Sequence, residues 1–293
     1  MCVPGWARGR TDHHHAAPTI QSIEMEMIHH GQNNGCPTGA ATWIAKALKV
    51  EEAQIVLAMD LRSTTVHTEN QRLALLWHSE RLHMQVDGLM QCAMRYLGED
   101  LDDILCHAGQ IPDAAGEEVK DDLSYGPGIE NVEAAVLPLP SYIDGEYVDA
   151  HRVRGMADME LELRVGQAND VLHELRLALA DKAIIFRTDI RGASNYQGTT
   201  RAWGRVAGTD AIVKRRVAIY RRCRMQMIAL GADEDVLARF RELRDTDLAV
   251  STAIADPNAR GHRNDTLAWF WTMDVPRDTA ANNWMSECKL QPQ

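Results

Sequence analysis

At 293 residues the chain has room for one large domain or two ordinary ones. Hydrophobic residues make up 45% but aromatics only 5%, so the core must be built mainly from Leu, Ala, Val, Ile and Met, and no apolar run approaches the ~20 residues of a bilayer span. The net charge of −11 excludes no partner by itself, because it is −1 over residues 1–97, −13 over 98–150 and +3 over 151–293.

Residues 1–35 read as an irregular, disordered arm. Pro4, Gly5 and Pro18 break it, and it ends in the polar run His29–Gly35. It lacks the apolar middle of a signal peptide. His13–His15 are adjacent in coil, where they form no closed metal site. The six cysteines, Cys2, Cys36, Cys92, Cys106, Cys223 and Cys288, never pair as CxxC; they read as reduced intracellular thiols.

Residues 36–98 read as a helical hairpin. Thr38 is the expected cap of a first helix carrying Trp43, Ile44, Ala47, Leu48, Ile55 and Met59, with a possible break near Lys49–Glu51. Thr68 and Gln71 spell a T-x-x-Q capping box. Behind it Leu75, Ser79, Leu82, Val86, Leu89, Ala93 and Tyr96 form a heptad seam that Gly98 ends. Residues 99–150 are acidic and turn-rich (EDLDD, EEVKDD, GPG, PLP) and read as a solvated linker.

A helical domain is expected over 151–293, organised on one long rod from Met156 to Phe186. Leu161, Val165, Ala168, Leu172, Leu175, Leu179 and Phe186 keep a heptad register along it. AIIFRTDI continues that register and so is kept helical. The two seams of equal period predict that the second helix of the hairpin packs against this rod. A further helix opens at Thr199 or Thr200, presents Val206, Val213, Val217, Tyr220, Met227 and Leu230 on one face, and stops at Gly231. Asp233 caps a shorter helix, EDVLARFRELRD, and an amphipathic piece follows from Asp265 to Met273. The expected class is all-α: long antiparallel helices in a bundle or coiled-coil-like arrangement.

There is no phosphate loop, nucleophile elbow or HExxH pair. Asp102–Asp103 and Asp121–Asp122 fall in the linker, without the rigid frame that metal chemistry needs. The one focused cluster is basic: Lys214, Arg215, Arg216, Arg221, Arg222 and Arg224, with Arg201 and Arg205 earlier on the same helix. Concentrated cations release counterions from nucleic-acid phosphates, which makes this a candidate DNA surface. The plainer alternatives are a solvated face or salt bridges to the acidic linker.

The runs GQANDVLHELRLALADKAIIFRTDI, TRAWGRV…IYRRCRMQMIALGADE, ADPNARGHRNDTLAWFWTMDVP and WMSEC resemble the C-terminal region of fungal KDZ (Kyakuja–Dileera–Zisupton) transposases. CPTGAATWIAKALKVEEAQI and PLPSYI fit the same region, so the resemblance covers most of Cys36–Cys288. It implies a cut-and-paste transposase whose DDE-type, metal-binding core precedes the matched part. Relatives continue past WMSE with a basic helix where this chain has CKLQPQ, and the resemblance implies a truncated, non-enzymatic fragment without cofactor. The expected role is assembly or DNA positioning, intracellular and nuclear if it acts as the family does. Its partners would be DNA through the basic helix, and itself or other proteins through the helical seams, with no membrane. The alternative is a helical scaffold or protein-interaction module without a DNA role.

Overall fold

The computed structural model describes residues 17–30, 37–63, 68–97, 131–143, 151–190, 196–249 and 267–273. Every regular element among them is helical, and none is a strand. The α-helices are α1 (Ile20–His30), α2 (Ala40–Ser63), α3 (Glu69–Leu97), α4 (His151–Ile185), α5 (Tyr196–Ala229) and α6 (Glu234–Arg239). None is long and apolar enough to cross a membrane. Two compact units emerge: one holds Ile20–Val165 and Arg222–Arg239, the other Met1–Thr19, Gly166–Arg221 and Phe240–Gln293. The expected scheme of a hairpin, a linker and a domain starting at 151 therefore differs from the compact units, because α4 and α5 each contribute to both.

In the first unit α1 lies inside the stretch expected to be a disordered arm. Ile20, Ile23 and Met27 recur at steps of three and four, and they pack on the core around α2. The chain enters α2 through Gly39, at φ +90°. The Gly39 carbonyl accepts the Trp43 N–H at 3.0 Å, so the cap is one residue beyond Thr38. α2 then runs unbroken through Lys49–Glu51. The capping box of α3 forms as the sequence predicts: the Gln71 side chain accepts the Thr68 N–H at 2.8 Å, and Thr68 Oγ1 accepts the Gln71 N–H at 3.3 Å.

The seam of α3 is buried from Ser79 to Tyr96, with Leu75 half-buried. It packs on α2. Trp43, near the start of α2, stacks on Tyr96, near the end of α3, with ring centroids 5.0 Å apart, and its indole N–H donates to the Leu89 carbonyl at 3.2 Å. The two helices therefore run antiparallel. The first turns of α4, through Val153, Met156, Met159 and Leu163, join the same core.

Part of the expected linker belongs to this core as well. Residues 131–143 form two 3-10 turns, Val132–Ala134 and Pro140–Tyr142, and bury Val132, Leu137, Leu139, Tyr142 and Ile143. The run AAVLPLPSYI carries no charge, and its prolines forbid a regular helix. It is an apolar strap rather than a solvated linker.

In the second unit α4 and α5 form the long antiparallel pair. Glu174, Lys182 and Asp189 meet Arg216, Asp210 and Arg205 at 2.8, 2.5 and 2.6 Å, so partners on α5 fall in number as those on α4 and its extension rise. The segment AIIFRTDI stays helical, as α4 to Ile185 and then a π turn over Phe186–Ile190. The rod is not buried along one seam only. Ala168, Val171, Leu172, Leu175, Ala178, Leu179 and Ala183 are all buried, whereas Leu161, Val165 and Phe186 of the expected seam are only partly so. α4 is a central helix, enclosed on several sides.

α5 buries Val206, Val213, Val217, Tyr220 and Met227 of the predicted face, while Leu230 is only half-buried. It ends in a Schellman arrangement: Ala232 N–H donates to the Met227 carbonyl and Gly231 N–H to the Ile228 carbonyl, both at 3.0 Å, with Gly231 at φ +74°. The helix after Asp233 covers only α6, shorter than expected, and Trp269–Trp271 form a single 3-10 turn.

Candidate functional site

The most concentrated polar chemistry among the described residues is buried. Glu51 on α2 and Glu160 and Arg164 on α4 are almost fully enclosed. The Arg164 guanidinium donates to both Glu51 oxygens, through Nη1 to Oε2 and through Nη2 to Oε1 at 3.1 Å. It also donates to Glu160 Oε1, from Nε at 3.1 Å and Nη2 at 3.0 Å. The strap supplies the remaining donors. Ser141 gives its N–H to Glu160 Oε2 at 3.0 Å and its hydroxyl to Oε1 at 2.6 Å, and Tyr142 gives its hydroxyl to Glu51 at 2.5 Å. Gln54, one turn beyond Glu51, donates to the Val132 and Ala135 carbonyls at 2.9 and 2.8 Å.

This geometry sets the electrostatics. Burial alone would lower the Arg164 guanidinium, but Glu51 and Glu160 hold it well above its ordinary range. Burial pushes the Glu160 carboxyl up, while Arg164 and the Ser141 donors pull it back. The Tyr142 hydroxyl is raised by burial and by Glu51. The Cys223 thiol donates to the Arg164 carbonyl at 3.2 Å and is likewise raised by burial. Neither the hydroxyl nor the thiol is activated for attack, and both carboxylates are occupied by donors. The network locks the strap to α2 and α4.

Sequence reasoning passed over these residues. The available signal was an i, i+4 acid–base pair, Glu160 and Arg164, flanked by Met156, Met159 and Leu163 on the longest helix, together with Glu51 in the middle of α2.

The eight basic residues do not form one open arc. Arg222 is buried, and its charge acts on Tyr142. Arg205 pairs with Asp189 and Arg216 with Glu174. Arg221 donates to the Leu243 carbonyl at 3.1 Å and to Asp245 at 2.7 Å. Arg215 and Arg224 are half-buried, and Arg201 and Lys214 are exposed. The charges that engage these arginines come from α4, its π turn and the segment after α6.

Other motif residues are internal supports. Arg176 on α4 donates to the Phe270 carbonyl, and to that of Met273 at 2.8 Å, while Asn169 donates to the Pro18 carbonyl at 2.9 Å. Tyr220 on α5 gives its hydroxyl to the Arg241 carbonyl at 2.7 Å and packs near Trp269. His13–His15, Asp102–Asp103 and Asp121–Asp122 lie outside the described residues. Among the described residues no group of three or more His, Cys, Asp or Glu is placed to hold a metal ion. No family model, curated protein or solved structure matches the chain.

Proposed function

We propose that this chain is a non-catalytic helical C-terminal part of a KDZ-type transposase, serving assembly and DNA positioning. The observation that carries the reading is where the family-like words fall. GQANDVLHELRLALADKAIIF falls on the later part of the enclosed helix α4 and the start of its π turn, and Arg176 within it ties down the WFWTM segment. Those words describe supports of a helical body, and the buried carboxylates beside them are committed to Arg164 and Ser141. On this reading the chain works in the nucleus, and any contact with DNA is made to phosphates by the outward cations Arg201, Lys214 and, in part, Arg215.

The experiment is a salt titration of purified chain with duplex DNA, run beside a Mg²⁺ and Mn²⁺ cleavage and joining assay on transposon-end DNA. Weak, sequence-indifferent binding that strengthens as salt falls is expected, without cleavage or joining. Replacing Arg201, Lys214 and Arg215 with Gln should weaken it and flatten the salt slope by about one for each phosphate no longer neutralised. Metal-dependent cleavage abolished by mutating one of the chain's own carboxylates would overturn the non-catalytic part. No binding at low salt would overturn the DNA part and leave the scaffold reading, which the exposed Trp77 on α3 favours.

A further inference from the structure

The first half of α5 keeps one side open. With consecutive residues about 100° apart, Tyr196 and Lys214 fall on one line and Trp203 within about 20° of it. All three are exposed, Tyr196 by 86% and Trp203 by 51%. Phe186, on the π turn after α4, meets the Trp203 ring almost at right angles, with centroids 6.0 Å apart, and so fixes where that ring stands. Arg215 and Arg201 lie about 100° and 140° round the helix from the same line, on the side away from α4. Between these two edges, from Thr200 to Ala211, the side chains are all small and exposed: Thr200, Gly204, Ala207, Gly208 and Ala211. A polymer can lie along this face within reach of aromatic rings on one edge and guanidinium groups on the other.

Charge decides what kind of polymer. Asp210 is the only acid among residues 196–216, and Lys182 of α4 engages it at 2.5 Å. Arg205 and Arg216 turn to acids of α4 and its π turn, while the open face carries Arg201, Lys214 and Arg215 and no acid of α5. A second copy of the chain would set these cations against themselves, which repels. A polyanion is attracted, and each phosphate it brings releases counterions on binding. The aromatic edge selects among polyanions. A duplex keeps the faces of its bases stacked inside, whereas a single strand offers them to exposed rings flanked by cations. We propose that this face of α5 binds single-stranded nucleic acid, with phosphates along Arg201 and Arg215 and unpaired bases on Trp203 and Tyr196. The inference rests on the DNA-contact part of the function proposed above and adds which form of nucleic acid is held.

Fluorescence anisotropy of the full chain at low salt tests this with three labelled probes: an oligothymidylate, the same strand paired with oligoadenylate, and an abasic strand of equal length. The oligothymidylate should bind at least about fivefold more tightly than either of the others, the low end for one base stacked on one ring. Trp203→Ala should remove most of that preference while leaving duplex binding unchanged, which also shows the variant to be folded. Tyr196→Ala, at a ring that is almost wholly exposed, should lower single-strand affinity in the same way. Gly204→Leu should weaken the oligothymidylate too without loss of helicity, since a Cβ there meets no atom of the chain within 4 Å. Single strand and duplex bound equally, or Trp203 and Tyr196 variants that hold the oligothymidylate as the wild type does, would overturn the inference and leave the phosphate contacts standing. No binding of any probe would overturn both readings. A dimer in sedimentation equilibrium that Trp203→Ala dissociates would assign the face to a second copy and overturn the inference as well.

Discussion

Replacing Arg164 with Met tests the buried network most directly. In the folded chain the guanidinium lies about 3 Å from two carboxylates. At an effective dielectric near 20, each such contact amounts to about 5 kcal/mol of Coulomb attraction. Against this stands a desolvation cost of several kcal/mol for each of the three ions, so the network contributes little net stability. Removing one member is another matter. Without Arg164 the carboxylates of Glu51 and Glu160 remain enclosed and repel each other, and the loss should be about 3–5 kcal/mol, a large part of the ~5–15 kcal/mol that holds a domain together. The triple variant E51Q/E160Q/R164M removes every charge yet leaves side-chain oxygens to accept from Ser141 and Tyr142. It should recover most of the loss. Urea unfolding followed by circular dichroism and tryptophan fluorescence reads both, with Trp43 reporting from the same unit. A single variant that loses under about 1 kcal/mol would refute the reasoning. A triple variant as unstable as the single would show that shape, not uncompensated charge, sets the cost.

Alkaline pH should destabilise the protein. Burial raises Cys223 and Tyr142, so above about pH 8.5 the unfolded chain sheds a thiol proton that the folded chain keeps. Stability then falls by about 1.4 kcal/mol per pH unit, and roughly twice as fast above pH 10, where tyrosine joins. Urea midpoints should show this slope in the wild type, and Cys223→Ala should flatten it between about pH 8.5 and 10; a wild-type midpoint constant over that range would contradict the burial argument. Gly39→Ala should cost more than Gly231→Ala. Both residues hold a positive φ, worth about 1–2 kcal/mol against any side chain, but a Cβ at Gly39 would also lie 3.0 Å from the Tyr96 hydroxyl, while that at Gly231 meets open space. Equal melting temperatures for the two variants would disprove the ranking.

Periodicity made most helices legible, because each buries a stripe that only one spacing satisfies. Most of the α3 seam and of the α5 face is readable in the sequence, and so are the Thr68–Gln71 box and the Gly231 stop. What periodicity does not carry is the partner. The seams of α3 and α4 share a heptad period, and that equality suggested a pair. In the structure α2 covers the one, and α5 runs antiparallel to the other. α2 offers no clean stripe because its apolar residues are spread around the helix, which is how a helix packed on more than one side reads. The strap was hidden for a related reason. Prolines at positions 138 and 140 signal a turn, and only the absence of charge between Ala134 and Ile143 distinguishes a buried turn segment from a solvated one.

The basic helix shows why a count of arginines says less than their angles. Six cations in eleven residues must point around the whole circumference of a helix, since consecutive residues turn by about 100°. On α5 one side is core, and a long, weakly hydrated guanidinium can be buried there if acceptors or carboxylates meet it. Arg222 is buried on that side. Arg216 and Arg205 fall at the edges, where the acids of α4 and its π turn reach them, and Arg221 closes onto the segment after α6. Only positions facing away from the core, such as Arg201 and Lys214, keep their charge for a partner. A phosphate surface built from them is smaller than the sequence suggests, and its salt dependence should be correspondingly shallow. A steep dependence, of the order expected if all eight cations neutralised phosphates, would require these internal ion pairs to break on binding.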